Sequence, residues 1–330
     1  MKKVKFSIPY NGDIELIKWA IKNKQVEEVY FAGPQGYDFS DPYENEKKHS
    51  LYDVSALMRL CNKNKVDTNL LINKNVMFFE SLARIKKSIN ILQKAGSLDY
   101  ITVADVFLAK WLKENFPLIK LQSSIYMGIN NFLKVKEGIK AGISKFCLDP
   151  SINRNGQELR KIAGLKKHYP FLRIKLLGLI MCYQNCFYSL RHSALPIFSR
   201  QIKSKGGYLG EQFDCYKCHY LPSGIVDEIK RPYVRPEDVS YYEKEKLTDS
   251  IKLAYRNEPS ASLKLKMISY FNRSYNGNLF DLMDSINYDN LFCDNKRIPK
   301  DFAKKVVECN KDCFSCGYCE FIAKRYLKAR

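Results

Sequence analysis

Two hydrophobic periods take turns along the first 180 residues. Short runs such as KVKFSIPY, VEEVYFAG and VDTNLLIN are rich in β-branched and aromatic residues and read as strands. Between them, GDIELIKWAIKNK and SLYDVSALMRLCNKN repeat their apolar residues at helical spacing, and the second follows the polar loop PQGYDFSDPYENEKKH. The clearest helix spans Val76 to Ala95. Phe78, Leu82, Ile85, Ile89 and Leu92 form its apolar face, and Gly96 supplies the stop. The alternation continues with LDYITVAD, a helix to Phe116, IKLQSSIYM, a helix to Ala141, ISKFCLDP, a helix to His168, and LRIKLLGLIMC.

These seven strands are short and often apolar on both faces, the pattern of a parallel sheet covered by its crossover helices. An eighth is expected at DSIKLAYR, residues 249–256, followed by a helix through SLKLKMISYFNRSY. Eight such units predict an α/β protein with a (β/α)8 barrel of the TIM type. An open doubly wound sheet is the alternative, but no glycine-rich phosphate fingerprint follows the first strand. The barrel is assigned to residues 1–285, with a cysteine-rich insertion at 182–248 after strand seven. Residues 286–330 form a cysteine-rich C-terminal extension. An insertion after strand seven falls at the C-terminal mouth of such a barrel, where these folds keep their chemistry.

Eleven cysteines change this picture more than overall composition does. Eight form two groups of four: Cys182, Cys186, Cys215 and Cys218, and then Cys309, Cys313, Cys316 and Cys319 within CNKDCFSCGYCE. Members two or three residues apart can reach one ion, and four thiolates suit tetrahedral zinc or a cubane iron–sulfur cluster. The pair Cys215–Cys218 with a distant partner pair is also a zinc-ribbon spacing, and His219 could replace one thiol. The tail run is as compact as a ferredoxin loop, and its first three cysteines match the spacing of radical S-adenosylmethionine enzymes. Cys61 and Cys147 fall on apolar faces and are read as core. Cys293 lies in a polar loop.

The chain starts with a basic segment but has no apolar stretch behind it, and LLGLIMCY is too short to cross a bilayer. A cytoplasmic protein without membrane contact is therefore expected. In that reducing compartment clustered thiols point to metal rather than disulfides. Fifty-five Lys and Arg against 35 Asp and Glu leave a net charge of +20. That excess suits a polyanion, nucleic acid (RNA or DNA) above all, although AT-rich coding would also give abundant lysine and the basic residues are scattered.

Polar residues at predicted strand ends are the catalytic candidates: Tyr10, Asn11, Asp105, Gln122, Asp149, Asn153, Arg154, Arg191, His192 and Arg235. Arg191 and Arg235 could each clamp a carboxylate or phosphate bidentately, and His192 could act as a general acid. Asp149 and Arg154 are equally able to pair with each other. Neither H-E-x-x-H nor G-x-S-x-G is present. Four histidines offer few bases, Cys186–His192 being one conceivable nucleophile pair.

GLIMCYQNCFYSLRH, YVRPEDVSYYEKEKLTDSIKLAYR, SYFNRSYNGNLFDLM and LDPSINRN together resemble the collagenase-like peptidase U32 family, with RPED and NRSYNGN the most specific pieces. The family label implies proteolysis. Its iron–sulfur relatives imply another activity, oxygen-independent hydroxylation of RNA bases or of a small aromatic ring. Carried over from those relatives, Cys182, Cys186, Cys215 and Cys218 would hold one [4Fe–4S] cluster. The tail tetrad has no counterpart in them and would hold a second cluster or zinc. Three functions follow: an iron–sulfur modification enzyme served by an electron donor or partner protein, a U32-type peptidase, or a non-catalytic metal-bound RNA-binding protein.

Overall fold

A computed structural model of the chain describes residues 3–37, 39–40, 49–74, 77–180, 182–186, 225–283 and 291–329. Eight parallel strands close into a barrel in chain order. They are β1 (Lys5–Pro9), β2 (Val26–Ala32), β3 (Asp67–Ile72), β4 (Tyr100–Val103), β5 (Lys120–Ser123), β6 (Ile143–Cys147), β7 (Arg173–Leu177) and β8 (Ser250–Lys252). The helices between them are α1 (Ile14–Ala20), α2 (Leu51–Lys63), α3 (Ser81–Ala95), α4 (Val106–Asn115), α5 (Phe132–Lys140) and α6 (Gly156–Gly164). After β7 come α7 (Ile225–Lys230) and α8 (Val239–Lys244), and after β8 comes α9 (Ser260–Asn272).

Short polar side chains start most of these helices. Asp13, Asp105, Asn131 and Asn155 each accept backbone N–H groups at an N-terminus, and Ser50 with Asp53 forms a reciprocal capping box. The outward strand face, including Phe6, Ile8, Val29, Phe31, Ile101, Val103, Ile174 and Leu176, is fully buried against the helices.

Three expectations change. The strands are not apolar on both faces: Ser7, Glu28, Asn69, Thr102, Gln122, Lys145 and Lys175 are buried inside the barrel and bonded to one another across it. Period-two alternation puts every second side chain on the axis, and here those positions are polar. The helix expected from Val76 starts at Ser81, whose N–H closes a turn onto Phe78 O at 2.9 Å. Phe78 is 50 % exposed, so the buried face begins later, at Ile85. The eighth strand ends at Lys252, and Tyr255 at φ 70° takes a left-handed conformation that a bulky residue rarely adopts.

The extension adds β9 (Leu291–Cys293), α10 (Phe302–Val307), α11 (Cys313–Cys316), α12 (Tyr318–Tyr326) and β10 (Leu327–Ala329), with β9 and β10 paired antiparallel. Phe302, Val306, Val307, Ile322 and Leu327 join the same apolar cluster as the barrel residues. A bidentate pair from Arg160 on α6 to Glu308, at 2.9 and 2.6 Å, fastens it further, as does Tyr241 on α8, which donates to the same carboxylate at 2.8 Å. Among the described residues no helix is long and apolar enough to cross a membrane.

Candidate active site

The barrel axis is a chain of hydrogen bonds built around one carboxylate. Glu28 accepts from Ser7 Oγ at 2.7 Å, Lys175 Nζ at 2.6 Å and Lys145 Nζ at 3.0 Å. Lys175 also donates to Gln122 Oε1 at 2.8 Å, Gln122 donates to Thr102 Oγ1 at 3.0 Å, and Thr102 donates to Asn69 Oδ1 at 2.8 Å. Burial disfavours the charged form of Glu28, yet the two ammonium groups more than reverse this and hold its carboxyl well below the usual carboxylate range. Burial likewise disfavours the Lys145 ammonium. Glu28, and then Glu27, raise its pKa overall.

Above this layer, at the C-terminal ends of the strands, positive charge collects. Lys252 ends β8 half-buried, with Nζ 4.2 Å from the centre of the Tyr30 ring. Burial lowers its pKa, and the Lys175 and Arg256 charges push the same way. Arg256 is buried beside it and donates to Ser40 Oγ at 3.0 Å. Tyr10 packs on His49 with ring centres 4.9 Å apart, and Tyr30 donates to Leu253 O at 2.7 Å. A mouth of this kind can bind an anion and offer rings for stacking.

None of Glu28, Lys145, Lys175, Lys252 or Arg256 was among the sequence candidates. The signal was a lysine or glutamate recurring at alternate strand positions, as in VEEVYFA, ISKFC, RIKLL and SIK. Those are the residues that period two sends to the axis.

The candidates drawn from strand ends divide differently. Arg235 does clamp a carboxylate bidentately, but the carboxylate is Asp238: Nε reaches Oδ2 at 3.0 Å and Nη2 reaches Oδ1 at 2.7 Å. Both groups are buried, so Arg235 is held as framework rather than offered to a substrate. Asp149 accepts from Ser151 N–H at 2.8 Å and from its hydroxyl at 2.5 Å, starting a 3-10 turn over Pro150–Arg154. It does not pair with Arg154, whose Nη1 donates to Ile229 O at 2.6 Å. Asn153 holds Leu177 O and Pro232 O, Asn11 holds Glu258 O and Ser260 Oγ, and Asp105 caps α4. Arg191, His192, Cys215, Cys218 and His219 lie outside the described residues.

Cys182 and Cys186 follow the end of β7 and stand at the mouth, the first exposed and the second half-buried. Between them Tyr183 lies under the Arg231 guanidinium at 4.0 Å, and Gln184 donates to Ser151 O at 2.6 Å. In the tail, Cys313 and Cys316 are exposed at the two ends of the one-turn helix α11, while Cys309 and Cys319 are half-buried. Gly317 at φ +60° turns the chain from α11 into α12, a conformation glycine adopts without strain.

The described cysteines are free thiols. Cys61, Cys147 and Cys293 are buried, and burial pushes Cys61 and Cys293 up to about 12, which suits packing and not ligation. Cys293 is therefore not in an exposed polar loop; it sits on β9 in the core. Cys182, Cys186 and the tail four keep solvent access, the donor set that zinc or an iron–sulfur cluster takes. As placed, no three described His, Cys, Asp or Glu side chains converge on one point.

Residues 12–167 match the sequence profile of peptidase family U32. Over that stretch the chain is similar to peptidase family U32. A curated relative, named an uncharacterized protease of Methanocaldococcus jannaschii, is 23 % identical over 350 aligned positions, covering 98 % of this chain and 99 % of that protein. Among solved structures, the U32 peptidase Mk0906 superposes with a TM-score of 0.53 at 12 % identity, over 78 % of this chain and 95 % of that one. At that identity the superposition speaks for the barrel alone.

Proposed function

We propose that this protein is an iron–sulfur-dependent enzyme that modifies an anionic aromatic substrate, foremost an RNA base, by oxygen-independent hydroxylation at the barrel mouth. The observation that carries this reading is the charge of the axis. Lys145 and Lys175 pair with Glu28, Lys145 also reaching Glu27 and Asp67 at 3.7 and 3.8 Å, Lys252 and Arg256 add positive charge at the mouth, and Cys182 and Cys186 leave the neighbouring strand. Such a cationic funnel concentrates phosphate-bearing ligands and repels cationic ones. Lys252 and Arg256 would hold the phosphate or another anionic group, and the Tyr10 and Tyr30 rings offer faces for a base. Cys182 and Cys186, with Cys215 and Cys218, would hold the cluster, which when bound supplies electrons or, at an open iron, a Lewis acid.

The test is metal and sulfide analysis of anaerobically purified protein, with mass spectrometry of RNA from cells with and without the gene. Iron and sulfide in near-equal amounts, lost on Cys182→Ala, together with an RNA base that gains one oxygen only when the gene is present, are expected. Zinc without sulfide and unchanged RNA would overturn the reading.

The names of the family and of the curated relative favour a second reading, amide hydrolysis. Of the four histidines, His49 packs on Tyr10 and His168 closes the turn after α6, while His192, the conceivable partner of Cys186, and His219 lie outside the described residues. Peptide cleavage that persists after iron is removed would establish this second reading. RNA binding without any product would point to the non-catalytic one.

A further inference from the structure

A buried positive charge with no anionic partner among the described residues lies next to the tail loop. Arg154 ends the 3-10 turn after β6 and is 3 % exposed. Its Nη1 is bonded, but Nε and Nη2 are buried and meet no acceptor among the described residues, and Asp149 is spent on Ser151. A guanidinium withdrawn from water without a counter-ion is strongly unfavourable, and its unmet N–H groups add to the cost. The site therefore asks for an anion.

The tetrad brackets this arginine at both ends. Lys311, two residues past Cys309, donates its Nζ to Arg154 O and, at 3.2 Å, to Val306 O, while its backbone N–H points at Cys309 Sγ at 3.3 Å. At the other end Tyr318 precedes Cys319. Its ring lies 6.4 Å from that of Phe302, on which the Arg154 guanidinium stacks at 5.4 Å. On the same side, α7, which ends at Lys230, packs against α12, which carries Cys319. The cysteine-bearing extension is thus docked where the barrel portion of the chain supplies Arg154 and Lys230, and it brings Lys311 of its own.

We infer that Cys309, Cys313, Cys316 and Cys319 form a tetrathiolate metal centre closed against the barrel, with Arg154 as its buried counter-charge and sulfur-directed hydrogen-bond donor. The ligand class is a thiophilic metal, either a divalent ion or a cubane cluster. On binding, each thiol gives its proton to solvent, and four thiolates around a doubly positive core leave two net negative charges. Arg154, Lys311 and Lys230 answer that charge, and the unbonded Nε and Nη2 of Arg154 gain sulfur acceptors. The exposed Cys313 and Cys316 side chains can turn inward on a fast timescale to complete the set. Arg154 is a positioning residue here, joining the tail centre to the end of β6. The inference stands apart from the upstream quartet and from the reaction proposed above.

The full-length chain carrying Cys182→Ala and Cys186→Ala disables the upstream quartet, so Co2+ titration after chelator stripping reads the tail alone. A sulfur-to-cobalt charge-transfer band saturating near one equivalent is expected, and it should vanish on adding Cys313→Ala and Cys319→Ala. Adding Arg154→Met should weaken Co2+ binding by about 10- to 100-fold, as loss of an outer-shell partner does, and Arg154→Lys should recover part of it. Lys230→Gln, on the surface, should weaken binding less and tests the charge argument even if Arg154→Met fails to fold. Iron and sulfide analysis of the same Cys182/Cys186 variant, purified anaerobically, tells a cluster from a single ion. An intact tail with no charge-transfer band, or affinity unchanged by Arg154→Met, or by both Arg154→Lys and Lys230→Gln, overturns the inference.

Discussion

Glu28 on β2 and Lys175 on β7 meet at 2.6 Å across the barrel interior, although 147 residues separate them in the chain. Lys145 on β6 shares the same carboxylate from the other side at 3.0 Å. One anion therefore holds two buried cations. Glu28→Gln leaves Lys175 with only the neutral Gln122 and Lys145 with the more distant Glu27 and Asp67, and should cost about 3–5 kcal/mol of stability, read from denaturant unfolding. Replacing all three together with apolar residues of similar volume should recover much of that loss. A neutral effect of Glu28→Gln would mean that the two lysines are not both charged.

The same group sets an acid limit. The carboxyl of Glu28 is held below its ordinary 4.5, so its stabilisation is complete above that value and disappears as pH falls through the depressed one. Glu308, held at about 2 chiefly by its hydrogen bonds from Arg160, loses its contribution in the same direction, though its exposure keeps that contribution small. Lys145, raised above 10.5, acts at the other end: its contribution is present below that value and is lost as pH rises through the raised one. Melting temperature should be level between these limits and fall steeply below about pH 4.5. Glu28→Gln should flatten the acid fall.

Lys252 should matter for ligand binding and little for folding, because its amine stands at the mouth over the Tyr30 ring and burial there disfavours its charge. Lys252→Met should leave the melting temperature and the iron content near those of the parent. If it meets a phosphate, RNA affinity should fall and the slope of log affinity against log salt should shrink by about one. An unchanged slope would remove Lys252 from the binding surface.

Arg235 makes the opposite prediction. Its guanidinium is locked on Asp238, so Arg235→Met should cost about 3–5 kcal/mol by stranding a buried carboxylate. Metal content and the salt slope of RNA binding should not move in the fraction that remains folded. A stable Arg235→Met protein that has lost only RNA binding would return this residue to the site.

Much of the architecture was legible along the chain because a helix and a strand repeat at different periods, and eight alternations of the two leave few folds to choose from. Cysteine spacing likewise singled out Cys182–Cys186 and the tail four as candidate ligands, since sequence neighbours stay neighbours on any short turn. The axis was less legible. Glu28, Lys145 and Lys175 each look like ordinary strand lysines or glutamates, and only closure of the ring brings β2, β6 and β7 onto one point. The strand-end polar residues misled for a related reason: Asp105, Asn153 and Arg235 occupy the right end of the barrel but are consumed by caps, carbonyls and Asp238.

By itself, then, the sequence determined the local periods, the parallel barrel they imply and the grouping of the cysteines, because each depends on residues close together in the chain. The tertiary structure decided which charges face one another, that Cys293 is core, and that Lys311 ties the tail to the Arg154 carbonyl. Those pairings depend on chain closure and docking over long separations, where hydrogen bonding and the cost of burying a charge, not local pattern, select the partner.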